Sequence, residues 1–122
     1  MALILVVDDE FSVAEVLQSV LADAGHEVVT AVNGRHGLEL FRERRPDLVL
    51  LDFMMPIMDG PAMLRAMKED LAYRNVPAVV MSSLPESTVA EAARGMYAAF
   101  LRKPFKLAAV TNIVKTLLGQ HS

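Results

Sequence analysis

Five polar residues stand where short apolar runs stop. Asp8 and Asp9 follow "ALILVV" (residues 2–7), Asp52 follows "LVLL" (48–51), Ser82 stands beside Ser83 at the close of "PAVVMSS" (77–83), and Lys103 comes just past "AAFL" (98–101). Three carboxylates, a hydroxyl and an ammonium have a definite chemistry if the fold gathers them. Carboxylates crowded at low dielectric repel one another, and a hard divalent cation relieves that repulsion. Magnesium favours a few carboxylates together with water and phosphate oxygens. The Lys103 ammonium and the Ser82 hydroxyl suit phosphoryl oxygens. Asp52 is then a candidate nucleophile, since carboxylates form aspartyl-phosphate intermediates.

The elements must do the gathering. The runs at 2–7, 48–51 and 77–83 are continuously apolar and short, as expected of strands covered on both faces of a parallel sheet. "EVVTAV" (27–32) is mixed and reads as an edge strand, and "AAFL" is a weaker fifth candidate. Helical spacing links them. Val13, Val16, Leu17, Val20, Leu21 and Ala24 recur at three and four residues before Gly25. Asn33 is a plausible cap for a helix bearing Leu38 and Phe41. Pro61 opens a third helix behind the cap Asp59. Val89, Ala92, Ala93 and Met96 suggest a fourth, and Leu107, Val110, Ile113, Val114 and Leu117 a fifth ending at Gly119. Five strand–helix alternations with short loops predict an α/β fold with a parallel sheet between helix layers. Ligands in such folds sit outside the carboxyl ends of the strands, and the five polar residues are expected there.

Taken one by one, each has a plainer explanation. "DDE" (8–10) could cap the first helix, Ser82 could be a strand-end hydroxyl, and Lys103 a solvated charge. Together these explanations need five coincidences at one sheet edge, so the shared pocket is preferred. Composition agrees with a single domain over 1–122. The chain has 122 residues, 53% hydrophobic and 22% charged, enough to bury a core. A net charge of −3 disfavours a nucleic-acid partner. The absence of cysteine removes disulfide and thiolate chemistry. The first apolar run is too short to span a bilayer or serve as a signal peptide, so no membrane partner and a cytoplasmic location are expected.

"ILVVDDE" (4–10), "LVLLDFMMPIMDG" (48–60), "VVMSS" (79–83) and "FLRKPF" (100–105), in this order and spacing, resemble the receiver domain of two-component response regulators over essentially the whole chain. The resemblance implies a flavodoxin-like, doubly wound, five-stranded parallel sheet of order 2-1-3-4-5 with five helices, like a stand-alone chemotaxis-type receiver. It implies that Asp52 accepts a phosphoryl group from a histidine kinase or histidine phosphotransfer protein in a Mg²⁺-dependent reaction. Asp9 would bind Mg²⁺ directly, Asp8 mainly through water, and the Met54 backbone carbonyl would be a further ligand beside Asp52. Lys103 would hold one phosphoryl oxygen. Ser82 would move to bond another, and Phe100 would rotate inward as it moves. The Lys103–Pro104 peptide bond is expected to be cis. Met54 and Leu84, two residues past the acceptor and two past the switch hydroxyl, would shield the phosphoryl group and lengthen its lifetime. Two departures stand out. Ser82 occupies a position where threonine is also common. Counting back from Lys103, Met96 takes the usual glycine position, or one residue is inserted near Gly95.

The function implied is a phosphorylation-switched signalling module that acts through a downstream protein or relays phosphate, and not an enzyme beyond its own phosphotransfer and dephosphorylation. An aspartate-nucleophile phosphatase would need a second acid at position 54, which is Met54. A phosphate-independent scaffold would not need Asp8, Asp9, Asp52 and Lys103 intact. A flavodoxin-like cofactor binder would need a phosphate loop after the first strand, which is missing. His26, His36 and His121 are expected at the surface, and residues 119–122 read as a domain edge. "FRERRP" (41–46) reads as a solvated helix end, and Met54 and Met55 as exposed neighbours of the site.

Overall fold

The structure is a computed structural model and describes residues 1–119; His121 lies outside them. Strands β1 (Leu3–Val7), β2 (Glu27–Ala31), β3 (Leu48–Asp52), β4 (Ala78–Ser82) and β5 (Ala99–Arg102) alternate with helices α1 (Phe11–Asp23), α2 (Gly34–Arg44), α3 (Gly60–Glu69), α4 (Glu86–Ala93) and α5 (Leu107–Leu117). All strand pairs are parallel, in the order β2-β1-β3-β4-β5. The expected architecture is therefore observed, with β2 at one edge.

Continuous apolarity in the central strands follows from cover on both faces. Leu5, Val7, Val49, Leu51 and Val80 face a layer containing Leu38, Phe41, Met63, Leu64 and Val89. Ile4, Val6, Leu48, Leu50, Val79 and Met81 face a second layer containing Leu17, Leu21, Val110 and Val114. Alternate residues of each strand thus anchor opposite layers, so slipping a strand by one residue would exchange the two cores.

Helix starts are set locally. Asn33 Oδ1 accepts from the His36 N–H at 2.9 Å, and Asp59 Oδ1 accepts from the Ala62 N–H at 3.0 Å. Each satisfies an otherwise unpaired first-turn donor. Three expectations need correction. Val16 is exposed, because the face of α1 that packs inward carries Ala14, Leu17 and Leu21. His26 is buried, not superficial: β2 starts beside β1, and the imidazole Nδ1 accepts from the Ala2 N–H at 3.2 Å. Met55 packs against the core and only Met54 of that pair is exposed. The solvated end of α2 is also more tied down than its charge suggests. Arg44 pairs with Glu27 at 2.6 Å, and the Arg45 guanidinium lies over the Tyr73 ring at 5.6 Å.

The region around α4 resolves the two alternatives left open near Gly95. Helix α4 ends at Ala93, and the left-handed residue that follows is Gly95, with φ of 78°. Met96 instead packs against the core. The left-handed conformation after α4 is thus taken by Gly95 and not by Met96.

Candidate functional site

The carboxyl ends of β1, β3, β4 and β5 deliver Asp8, Asp52, Ser82 and Lys103 to one edge of the sheet. The Lys103 ammonium lies 3.0 Å from Asp8 Oδ2, 3.4 Å from Glu10 Oε1 and 3.4 Å from Asp52 Oδ1. Asp8 is 1% exposed and Asp52 7%. Carboxylate oxygens of Asp8, Glu10 and Asp52 all lie within 4.8 Å of one another. Asp9 is exposed and lines a neighbouring recess with Met54, Met55, Pro56 and Asp59.

Reading "DDE" as a helix cap does not describe these acids. Glu10 stands at the start of α1 without a side-chain cap bond. Its carboxylate reaches Lys103, and the Glu10 N–H donates to Asp8 Oδ1 at 2.9 Å. Sequence reasoning passed over Glu10 as a member of the cluster. The signal was its spacing of two from Asp8, which can return a side chain to the same side of an extended segment.

Electrostatics follow from this crowding. Asp52 is pushed up to about 6, first by burial and then by the charge of Asp8, with a smaller contribution from Asp9; Lys103 offsets part of this. Burial acts to lower the Lys103 ammonium, but its hydrogen bond to Asp8 and the charges of Asp52, Asp8 and Glu10 outweigh burial and raise it. Three carboxylates around one ammonium leave an excess of negative charge. That imbalance fits a divalent cation with oxygen ligands.

Ser82 is buried, and its Oγ accepts from the Leu84 N–H at 3.0 Å. Lys103 is held in line with it, its N–H donating to the Ser82 carbonyl at 2.8 Å. Phe100 pairs in register with Val80 and is half-buried against the same core layer as Tyr97 and Met96. The Lys103–Pro104 peptide is cis. Leu84 is half-buried and Met54 is 64% exposed. Gly60 answers why Asp-Gly follows the acid: a Cβ there would lie 2.8 Å from the Asp52 carbonyl oxygen and 3.0 Å from Phe53 Cα. Only glycine lets α3 begin so close to the end of β3.

A doubly wound sheet of this order, with acids and a lysine at its carboxyl edge, defines a class of phosphate-handling signalling domains. The family model described as the response regulator receiver domain matches residues 4–115, and the chain belongs to that family. The transcriptional regulatory protein PrrA of Mycobacterium tuberculosis is 40% identical over 124 residues, covering 97% of this chain and 50% of its own length. The regulatory protein AtoC of Escherichia coli is 38% identical over 121 residues, covering 98% and 26%. The chain thus spans half or less of the length of these curated relatives. Among solved structures, the chemotaxis response regulator CheY4 of Vibrio cholerae superposes with a TM-score of 0.90 at 27% identity, covering 96% of this chain and 98% of that one. The receiver domain of a signal transduction histidine kinase from Syntrophus aciditrophicus gives 0.90 at 30% identity, covering 98% and 91%. Receivers are phosphorylation-switched signalling domains that take a phosphoryl group from histidine kinases and bind Mg²⁺ in an acidic pocket. No helix among the described residues is long and apolar enough to cross a membrane.

Proposed function

We propose that the 122 residues act as one receiver unit in which Asp52 is the phosphoacceptor. The observation that carries this is its carboxylate, buried at the end of β3 yet 3.4 Å from the Lys103 ammonium and beside two further acids. An Asp52 oxygen attacks the phosphorus of a phosphohistidine on a kinase or phosphotransfer protein. The new O–P bond forms as the P–N bond breaks, and the imidazole leaves with the electron pair. Asp8, Asp9, Asp52 and the Met54 carbonyl are the residues that would hold Mg²⁺, with Glu10 at the edge of the set. When bound, Mg²⁺ neutralises charge on the phosphoryl oxygens.

Lys103 lies closest to Asp8 in the resting pocket, and its task on phosphorylation is to turn to a phosphoryl oxygen. Ser82 gives up the Leu84 N–H and donates its own hydroxyl proton to another oxygen. Phe100 then fills the vacated space and changes the surface near α4 and β5, which a downstream protein reads. Met54 and Leu84 are apolar and cannot orient a water for in-line attack, so self-dephosphorylation is slow. Incubation with acetyl phosphate and Mg²⁺, followed by mass spectrometry, tests the assignment: the label falls on Asp52, and the Asp52→Asn variant stays unlabelled. Full labelling of that variant overturns it.

A further inference from the structure

The chain has no cysteine and eight methionines, so thioethers are the only sulfur groups that a two-electron oxidant can reach. Access decides which of them reacts. Met63, Met67 and Met81 are fully buried, and Met55, Met58 and Met96 are half-buried against the core. Met1 is 95% exposed and Met54 is 64% exposed. The two stand at opposite ends of the sheet. Met1 precedes β1 at its amino edge, whereas Met54 follows Asp52 by two residues at its carboxyl edge. There Met54 lines a recess of about 340 Å³ with Asp9, Met55, Pro56 and Asp59. One accessible thioether therefore lies beside the candidate acceptor, and the other lies far from it.

A thioether and a sulfoxide act oppositely on an acyl phosphate next to them. The thioether is a weak acceptor that excludes water, and the sulfoxide is polar with a strong acceptor oxygen. We propose that Met54 is a redox-modification site: hydrogen peroxide converts its thioether to the sulfoxide, and the sulfoxide shortens the life of the phosphoryl group on Asp52. The sulfur lone pair attacks one peroxide oxygen, and the S–O bond forms as the O–O bond breaks. Sulfur loses two electrons to the peroxide. The departing hydroxide takes the proton from the transferred oxygen and leaves as water. The recess has room for several waters, and the new oxygen holds one of them near the phosphoryl group. The change is reversible, because methionine sulfoxide reductases restore the thioether. The inference rests on Asp52 as the acceptor and on Met54 as its apolar shield.

The test treats the full chain with hydrogen peroxide, removes the excess with catalase, labels with radioactive acetyl phosphate and Mg²⁺, and follows phosphate loss after the donor is removed. Peptide mass spectrometry reads oxidation at each methionine. Met54 and Met1 should gain oxygen well before Met63, Met67 and Met81. The half-life of the phosphoprotein should fall about fivefold, the rate equivalent of one net hydrogen bond. Treatment with methionine sulfoxide reductase should restore it. In Met54→Leu, compared only with its own untreated sample, peroxide should leave the half-life unchanged although Met1 is oxidised. Met54 oxidised no faster than Met63, an oxidised wild type with an unchanged half-life, no recovery with the reductase, or Met54→Leu as sensitive to peroxide as the wild type each overturns the proposal. An untreated Asp52 that takes no label overturns the acceptor assignment and the inference with it. Met54→Asn with the wild-type half-life does the same to the shielding by Met54.

Discussion

Replacing Asp52 by Asn should stabilise the metal-free domain, and only at pH values where the carboxylate is ionised. The carboxyl rises from 3.8 to about 6 on folding, mainly through burial and the charge of Asp8. A group whose value is raised by folding contributes stability that is fully present below about 4 and is lost as pH rises through about 6. At about 1.4 kcal/mol per tenfold change in proton affinity, ionised Asp52 costs about 3 kcal/mol at pH 8. This figure already includes the attraction of Lys103. Asparagine keeps the shape without the charge, and Lys103 retains Asp8 at 3.0 Å. The Asp52→Asn variant should therefore unfold about 3 kcal/mol less readily than wild type at pH 8, a rise in melting temperature of roughly 10 °C, and match it near pH 4. Urea and thermal unfolding in EDTA at pH 4, 5, 6, 7 and 8, followed by circular dichroism, measures the difference. Added Mg²⁺ should narrow the gap, because a ligand bound only by the folded wild type stabilises it. A difference that does not change with pH, or a variant less stable at pH 8, would refute the claim that the pocket is strained by its own charge.

Other perturbations separate the remaining parts. Folding lowers the His26 imidazole, first through burial and then through the nearby amino terminus, so its contribution is present above 6.5 and is lost as pH falls. In the Asp52→Asn background, where the opposing carboxyl is absent, stability should decline from pH 7 to pH 5 in urea unfolding, and His26→Gln should flatten that decline. Gly60→Ala should cost about 1–3 kcal/mol in unfolding assays, because its Cβ would meet the Asp52 carbonyl oxygen at 2.8 Å; a neutral result would mean that α3 can shift away. Ser82→Ala should keep acetyl-phosphate labelling of Asp52 but leave Phe100 unmoved between apo and beryllofluoride-bound crystal structures. Replacing Met54 by Asn and Leu84 by Glu together should shorten the half-life of radiolabelled phosphoprotein several-fold, and an unchanged half-life would remove apolar shielding as its cause.

How much of this was legible in the sequence depended on the range of the interaction. Strands such as 48–52 declare themselves because burial on both faces demands apolar residues throughout, and a carboxylate at their end is conspicuous. Caps at Asn33 and Asp59 are readable because the bond closes within three residues. The inward burial of His26 was not readable: it depends on β2 lying against β1, a contact twenty-four residues away in sequence. Glu10 was hidden for a related reason. Whether an acid at the start of a helix caps it or turns back to a lysine depends on where that lysine stands, and Lys103 arrives from ninety-three residues further along the chain. Asp9, adjacent to Asp8, faces the neighbouring recess, because successive side chains leave an extended segment on opposite sides.

Charge and backbone strain meet at the same edge of the sheet, and each has the same physical consequence. The pocket keeps an ionised Asp52 next to Asp8 although both would be better separated, and the adjoining loop keeps Ile57 in a turn that glycine would make at lower cost. Neither feature helps this chain fold. The cores on the two sheet faces are built from residues such as Leu50, Leu51, Val79 and Val80, which are fully buried and supply the stability against which these costs are set. In the function proposed above, a cation and a phosphoryl group from outside the chain offset the first of these costs. A site that is unfavourable alone and favourable when occupied gives its ligands a larger difference between states to act on, and a switch can shift only by as much as that difference. On that proposal the resting charge at Asp52 supplies part of the response, and a variant that removes it, such as Asp52→Asn, should make a more stable domain and a poorer switch.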